Sequence, residues 1–318
     1  MATLTQLEYL IAVDRYRHFG KAAKACHVSQ PTLSMQLQKL EEEFEMHFFD
    51  RTKQPILPTP LAIPVIEQAK IILRENEKLK HLAHLHEGEI TGDFHLSVIP
   101  TVAPYLLHRF LGHVSQKHPK LNLVISEKTT AQIIEALDHD EIDAGILATP
   151  LDHSSLDERP LYYEPFHVFA SKNHPLIREK NLTEEKLPVN DIWLLSEGHC
   201  LRNQMMRLCS IRKTSAVIQN LKFESGSLET IIHLIEQGHG YTLLPALAAE
   251  RLIREKNPLL KEFKGDIPTR EISMVYQRSQ YKQNILKAIS EAIKHCLPPG
   301  IVSPRRTPEM SILKVKNQ

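Results

Sequence analysis

The chain is 318 residues long, 42% apolar and carries a formal net charge of +1, enough for two or three packed domains but with no global basic field to hold nucleic acid. No apolar run approaches the roughly 20 residues that span a bilayer, and residues 1–10 lack a basic stretch ahead of an apolar one, so no membrane segment or signal peptide is expected and the expected compartment is the cytoplasm. In that reducing setting four cysteines do not suggest a disulfide framework; they are buried, metal-bound or reactive, and burial is the default.

Thr5 and Glu8 have capping-box spacing, Leu4 can staple to Tyr9, and Leu7, Leu10 and Ile11 form an apolar helical face. A second short helix follows Phe19, with Ala22 and Ala23 small enough for a close crossing. His27 falls where a left-handed residue is needed in the turn. In a third helix Ser29 can cap, Pro31 lies in the first turn, and Leu33, Leu37, Leu40 and Phe44 form the core stripe. Its outer face carries Pro31, Met35, Gln38 and Lys39, flanked by Thr32 and Ser34. Helix, tight turn and a helix with a polar face is a helix-turn-helix pattern, whose second helix reads base edges in the major groove. The rival is a small helical domain that binds nothing, and the charge count does not support DNA binding: residues 1–58 hold seven Lys or Arg and seven Asp or Glu, the acids crowding at Glu41, Glu42, Glu43 and Glu45.

The motifs are more specific than the charge. Leu7-Glu8-Tyr9-Leu10, His18-Phe19, Ala22-Ala23, Val28-Ser29-Gln30-Pro31-Thr32-Leu33-Ser34, Lys39-Leu40-Glu41 and Arg51-Thr52 together resemble the winged helix-turn-helix of LysR-type transcriptional regulators. The resemblance implies that Ser29, Gln30, Pro31, Thr32, Ser34, Gln36, Gln38 and the wing residue Arg51 face DNA. Gln38 stands where many relatives carry Arg, and Gln54 replaces a basic wing residue, which implies an altered base preference and weaker phosphate contact.

Thr59 can cap and Pro60 can open a long helix with no Gly up to Glu87. Leu61, Val65, Ala69, Ile72, Asn76, Leu79 and Ala83 fall near one face, a stripe that must pair with a copy of itself or dock on the first domain. Pro64 should bend the start of this helix. Beyond Gly88 and Gly92, candidate strands at 94–99, 121–126, 144–147, 168–171, 192–195, 217–223, 241–243 and 272–276 alternate with helical stretches such as 131–137 and 228–237, which implies α/β units with parallel sheets. The loops after the first two strands place Thr101, Thr129 and Thr130 at helix starts, where ordinary N-capping is the plainer reading.

Two cysteines, Cys200 and Cys209, bracket a good helix former at 201–208 with Leu201, Met205 and Leu208 as its apolar stripe. In a helix their backbones stand about 13–14 Å apart along the axis and point to opposite faces, whereas a disulfide needs Cα atoms within about 7 Å. Either both are buried structural cysteines, or they form a switch whose bond requires the helix to unwind. Cys200 has the features of the reactive thiol: a helix N-terminus after Gly198, with His199 and Arg202 close in sequence. No C-x-x-C pair supports a metal.

Leu194-Leu195, Gly198-His199-Cys200-Leu201-Arg202, Gln204, Met206 and Cys209, with Ile99-Pro100-Thr101-Val102, Ser227-Leu228-Glu229-Thr230 and Thr242-Leu243-Leu244-Pro245-Ala246-Leu247, resemble the peroxide-sensing OxyR branch of the LysR-type regulators over residues 1 to about 296. The resemblance implies a fold with an all-α winged helix-turn-helix and a regulatory part of two α/β subdomains of periplasmic-binding-protein type, joined by crossings near 164–170 and 266–276. It implies a winged domain at 1–59, a dimerising linker helix at 60–88, and a regulatory domain at 89–300. Within the latter, subdomain I is 89–164 with 268–300 and subdomain II is 165–267; residues 301–318 read as a basic, mostly disordered tail without a family counterpart. It further implies a redox pair in which Cys200 is oxidised and Cys209 resolves it as a disulfide, with Thr101, Thr130 and His199 lining the peroxide site and Thr129 as the alternative if the register slips by one. The partners implied are promoter DNA, hydrogen peroxide as effector, RNA polymerase, a thioredoxin- or glutaredoxin-type reductant, and copies of the chain in a homotetramer that activates and represses. No cofactor or metal is implied, and the protein is not an enzyme. Gln277 and Ile232 depart from the pattern, both standing where relatives carry Arg. The rivals are a LysR-type regulator that binds a small organic anion, with structural cysteines, and a peroxidase that uses Cys200.

Overall fold

A computed structural model of the protein describes residues 1–84, 90–151, 153–209, 217–218, 221–222, 225–298, 301 and 310–313. It comprises two compact units, Met1–Gly88 and Glu89–Gln318. Among the described residues no helix is long and apolar enough to cross a membrane.

In the first unit α1 (Leu4–Tyr16), α2 (Phe19–Ala25) and α3 (Gln30–Glu43) precede a two-stranded antiparallel wing, β1 (Phe49–Asp50) and β2 (Leu57–Pro58), and then α4 (Ala62–His84). The cap of α1 corrects the sequence reading. Thr3, in extended backbone, forms a reciprocal capping box with Gln6, which leaves Thr5 inside the first turn. His27 adopts a φ of 55°, as the turn requires, and Ser29 caps α3 by accepting the Thr32 N–H. Leu33, Leu37 and Leu40 are buried, but Phe44 is not part of the stripe. It is the C-cap of α3 and is 42% exposed, while Phe48 and Phe49 fill the core where the chain returns toward the wing.

Thr59 caps the linker helix through the Ala62 N–H, at 3.3 Å. The predicted single seam divides into two faces. Ala62, Ile66 and Ala69 are buried against the first unit's own core, with Val65 and Leu73 partly so. Leu61, Ile72 and Leu79, about a quarter turn around the helix, are exposed, as are Ile63 and Ile71.

In the second unit β3 (Gly92–Val98), α5 (Ala103–Lys117), β4 (Leu121–Glu127), α6 (Thr130–Asp138) and β5 (Ala144–Thr149) build a parallel β4-β3-β5 ribbon with helical crossovers. All of β5 is buried, consistent with its uninterrupted run of apolar and small residues. Gly145 is required there, because a Cβ would lie 2.3 Å from Ile133 Cγ2 of α6. The chain continues through β6 (Leu156–Ala170), α7 (Cys200–Leu208), α8 (Leu228–Glu236), β9 (Tyr241–Pro245), α9 (Ala246–Arg254), β10 (Leu260–Glu262), β11 (Ile267–Gln277) and α10 (Gln283–Cys296), with two short antiparallel strands, β7 (Val217–Ile218) and β8 (Leu221–Lys222), after α7.

β6 links two cores. Its residues from Leu156 to Pro165 pair with β11, and those from Phe166 to Ala170 pair with β9. β11 also pairs antiparallel with β5. One hydrophobic core gathers β3, β5, α5 and α10 around Phe94, Phe110 and Ile289; the other gathers β9, α7, α8 and α9 around Trp193, Met205 and Leu244.

Three strand expectations change. Residues 168–170 belong to a strand of 15 residues that ends before Ser171, long because it serves both cores. Residues 192–195 form only isolated bridges, Ile192 to Tyr241 and Leu195 to Ser225. The expected strand at 217–223 is two two-residue strands, and 219, 220 and 223 lie outside the described residues. The tail also departs from expectation. Met310–Ile312 form β12, parallel to β11 at Ile267–Thr269, and the Leu313 N–H donates to the Thr269 carbonyl at 3.0 Å. The open edge of β11 supplies backbone groups that a sequence pattern does not reveal.

Candidate functional site

On α3 the side chains of Gln30, Pro31, Thr32, Met35, Gln38 and Lys39 are exposed and Ser34 is half-buried. Several of these residues are already engaged. The Ser29 and Thr32 hydroxyls are 2.7 Å apart within the cap. Gln36 accepts from Gln6 Nε2 at 3.2 Å, tying α3 to α1, and Gln38 donates to Glu42 at 3.2 Å. Arg51, expected to meet phosphate from the wing, is held from below. Its guanidinium is 3.0 Å from Glu41 Oε2 and sits over the Phe19 ring, and the buried Glu41 carboxylate also accepts the Phe48 N–H at 2.9 Å. Arg51 therefore braces the wing onto α3 while remaining 47% exposed.

The segment between the two cysteines is helical. α7 starts at Cys200 and its C-cap is Cys209. Gly198, with a φ of 91°, turns the chain into it, and a Cβ there would lie 3.8 Å from Thr129 Cγ2, so the entry to α7 runs beside the start of α6. Both cysteines are free and buried. Cys200 packs in the first core, whereas Cys209, Leu201, Met205 and Leu208 pack in the second. An intact helix thus holds the sulfurs in separate apolar environments, about 13 Å apart along the axis.

The neighbours of Cys200 differ in part from the sequence reading. Arg202 is spent on the backbone, donating from Nη1 to the Leu195 carbonyl at 2.8 Å. Half-burial holds the His199 imidazole below its usual range, so at neutral pH it is a neutral donor–acceptor rather than a cation. Cys200 itself is the first residue of α7.

The threonines separate cleanly. Thr129 is the N-cap of α6, in a capping box with Gln132, so ordinary capping accounts for it. Thr130 is buried and its Oγ1 has no hydrogen-bond partner among the described residues. Thr101 does not cap α5, whose N-cap is Val102. Its hydroxyl accepts from Arg270 Nη1 at 3.2 Å and its carbonyl from Arg270 Nη2 at 3.1 Å. Arg270 and Glu164 form an ion pair at 2.8 Å, with side-chain exposures of 1% and 0%, and the second Glu164 oxygen accepts the Leu247 N–H at 2.8 Å. The pair spans β6 and β11 and fixes both Thr101 and the start of α9.

Sequence reasoning missed Arg270 and Glu164, because a charged residue inside an apolar strand run is the only signal and its partner is 106 residues away. Gln204, which the motif included without a role, lies one helical turn after Cys200. Gln204 is 1% exposed, with Oε1 unpartnered and Nε2 3.4 Å from the Leu313 carbonyl. The two departures from the family pattern have defined places. Gln277 donates to the Leu137 carbonyl at 3.0 Å, closing the C-terminus of α6, and Ile232 is buried in the second core. Arg278 pairs with Asp157 at the surface. Among the described residues no group of three His, Cys, Asp or Glu is placed to hold a metal ion.

Residues 4–62 match the family described as "Bacterial regulatory helix-turn-helix protein, lysR family", and residues 87–297 match "LysR substrate binding domain". The chain is 35% identical over 286 residues to the "Hydrogen peroxide-inducible genes activator" of Dickeya chrysanthemi, covering 88% of this chain and 92% of that protein. It is 34% identical over 296 residues to the "DNA-binding transcriptional dual regulator OxyR" of Escherichia coli (strain K12), covering 92% and 94%. A full-length OxyR variant from Pseudomonas aeruginosa superposes with a TM-score of 0.75 at 29% identity, over 93% of this chain and 99% of that one. A Corynebacterium glutamicum OxyR mutant described as H2O2-bound superposes with a TM-score of 0.60 at 30% identity, over 93% and 92%. These relatives are transcription regulators, which sets aside the reading as a peroxidase. A winged helix-turn-helix followed by a two-core α/β unit, matched nearly end to end, shows that the chain belongs to the LysR-type transcriptional regulators, in their OxyR branch.

Proposed function

We propose that the protein is a hydrogen-peroxide-sensing regulator in which Cys200 and Cys209 are the redox pair. The observation that carries this reading is the placement of two free cysteines at opposite ends of one intact helix, with their sulfurs in different cores. The Cys200 thiolate attacks one peroxide oxygen, the O–O bond breaks, and hydroxide leaves to become water once protonated. Cys200 is thereby oxidised by two electrons to a sulfenic acid. Cys209 then attacks that sulfur; its proton and the departing hydroxide form water as the S–S bond closes. Because a disulfide needs Cα atoms within about 7 Å, α7 unwinds for this second step, and the conformational change follows from the chemistry.

Thr130, with a buried hydroxyl free of partners, Thr101, held by Arg270, and the neutral His199 supply the polar groups for peroxide beside Cys200. Promoter DNA is met by Ser29, Gln30, Pro31, Thr32, Ser34, Gln36 and Gln38, with Arg51 as the wing contact. The domains in this reading are 1–59, 60–88 and 89–300, the last with subdomains at 89–164 plus 268–300 and at 165–267. The uncovered face of α4 pairs copies of the chain, and two such dimers form a tetramer that acts through RNA polymerase in the cytoplasm. A thioredoxin- or glutaredoxin-type thiol restores the reduced state.

The test treats reduced protein with a small excess of peroxide and maps disulfides by mass spectrometry alongside promoter footprinting, for the parent and for Cys200→Ser. The parent should form a Cys200–Cys209 bond and shift its footprint, and Cys200→Ser should do neither. A parent with no such bond and an unchanged footprint would sink the proposal.

A further inference from the structure

The environment of Cys209 contains a contact that the redox chemistry above does not use. Cys209 Sγ is 3.7 Å from the hydroxyl of Tyr241, and that hydroxyl donates in turn a short hydrogen bond to the Pro188 carbonyl. A phenol has a single proton. With that proton given to Pro188, the oxygen can only accept from sulfur, so the chain runs Cys209 S–H to Tyr241 O–H to Pro188 C=O. It is complete only while Cys209 remains a thiol at the end of a folded α7.

Tyr241 is itself anchored. It is fully buried, its N–H donates to the Asp191 carbonyl at 3.0 Å, and its carbonyl accepts the Trp193 N–H at 2.8 Å. Its ring packs 5.2 Å from that of His174. The hydroxyl is therefore a fixed point on β9, and the sulfur is the mobile partner. Burial pushes the Cys209 thiol up to about 11, which agrees with a resting thiol at this site.

Resting on the reading of Cys200 and Cys209 as a redox pair, we infer that Tyr241 is a positioning residue for the second step: it tethers Cys209 in the reduced state, and the tether is released before the disulfide forms. The contact belongs to the ground state alone, since Cys209 cannot reach Cys200 from it. Removing the hydroxyl should therefore speed resolution and leave the reaction of Cys200 with peroxide untouched. A neutral hydrogen bond of this kind corresponds to an acceleration of about two- to ten-fold.

The experiment uses the full chain with Cys26→Ala and Cys296→Ala, so that only the pair remains. Peroxide is added, and quenched samples report sulfenic acid by dimedone adduct and disulfide by mass spectrometry. Tyr241→Phe should shorten the lifetime of the sulfenic acid by about two- to ten-fold while the first step stays within about two-fold. An infrared measurement separates a tether from a general loosening of the fold. In the same background with Cys200→Ser, the Cys209 S–H stretching band should move to higher frequency when Tyr241→Phe removes its acceptor. An unmoved band, or both steps accelerated alike, overturns the inference. A parent that never forms the disulfide removes the redox reading itself; a parent that forms it at one rate with and without the hydroxyl removes only the role of Tyr241.

Discussion

At the scale of single residues, the two thiols are equivalent in composition and differ because of where the fold puts them. Cys200 opens α7, among the unpaired N–H groups of a helix start. Cys209 closes it inside the second core, where burial raises the thiol from its usual 9.0 to about 11. That shift has a thermodynamic consequence of definite sign. The folded state holds this proton more tightly than the unfolded chain, so the contribution is fully present below pH 9 and is lost as pH rises through 11. Two units correspond to about 2–3 kcal/mol. Denaturant unfolding of the reduced protein at about pH 8 and about pH 11 should show a loss of this order, and Cys209→Ser should lose less over the same interval. An identical pH dependence in both proteins would mean the thiol is not held protonated. Spacing left Cys200 and Cys209 open between a structural pair and a switch, and the roles proposed for them and for His199 come from the family resemblance. The neutral state of His199 and the engagement of Arg202 with Leu195 were not legible, because each depends on burial and on a carbonyl that the turn brings back.

At the scale of elements, α7 separates the two cysteines. Its sequence, with Leu201, Met205 and Leu208 on the buried side, makes a helix by pattern and propensity, and that helix must come apart before the sulfurs meet. Its intrinsic stability should therefore govern the second step and not the first. Asn203 is half-buried, and Asn203→Ala adds about 0.5 kcal/mol of helix propensity. Disulfide formation should slow by about two-fold in that variant, with peroxide consumption by Cys200 unchanged; stopped-flow traces of both steps check this, and a slowed first step would contradict it. The long strand β6 was only half legible. Residues 168–171 read as a strand, but the run from Leu156 to Pro165 contains Asp157, Glu158, Arg159, Pro160 and Glu164, which hide the alternation. These positions pair with β11 all the same, and Glu164 is tolerated only because Arg270 reaches it.

At the scale of the whole molecule, α4 carries two sets of apolar side chains, one docked on its own unit and one exposed. Ala62, Ile66 and Ala69 dock on their own unit; Leu61, Ile72 and Leu79, at 74%, 41% and 67% exposure, do not. Large apolar side chains left in a row on a helix mark an association surface. Replacing Ile72 and Leu79 together by Lys should shift the protein toward a monomer in sedimentation analysis and weaken promoter binding at least ten-fold, while the thermal transition of the second unit stays in place. An unchanged sedimentation profile would show that α4 does not hold the copies together.

The sequence by itself determined the helical segments. Helix caps, three-to-four spacing and left-handed turn residues act over a few positions, so the winged helix-turn-helix, the linker helix and α7 can be read locally. It also determined that two cysteines nine positions apart on a helix cannot bond without unwinding it, since helix geometry alone fixes that distance. The tertiary structure decided what those residues meet: which face of α4 is spent, that Thr129 caps while Thr130 keeps an unpartnered hydroxyl, that Arg270 and Glu164 hold Thr101, that Tyr241 holds Cys209, and that residues 310–312 add a strand to β11. Each of these is a contact between segments remote in the chain, formed because a buried polar group or an open strand edge must find a partner wherever the fold supplies one.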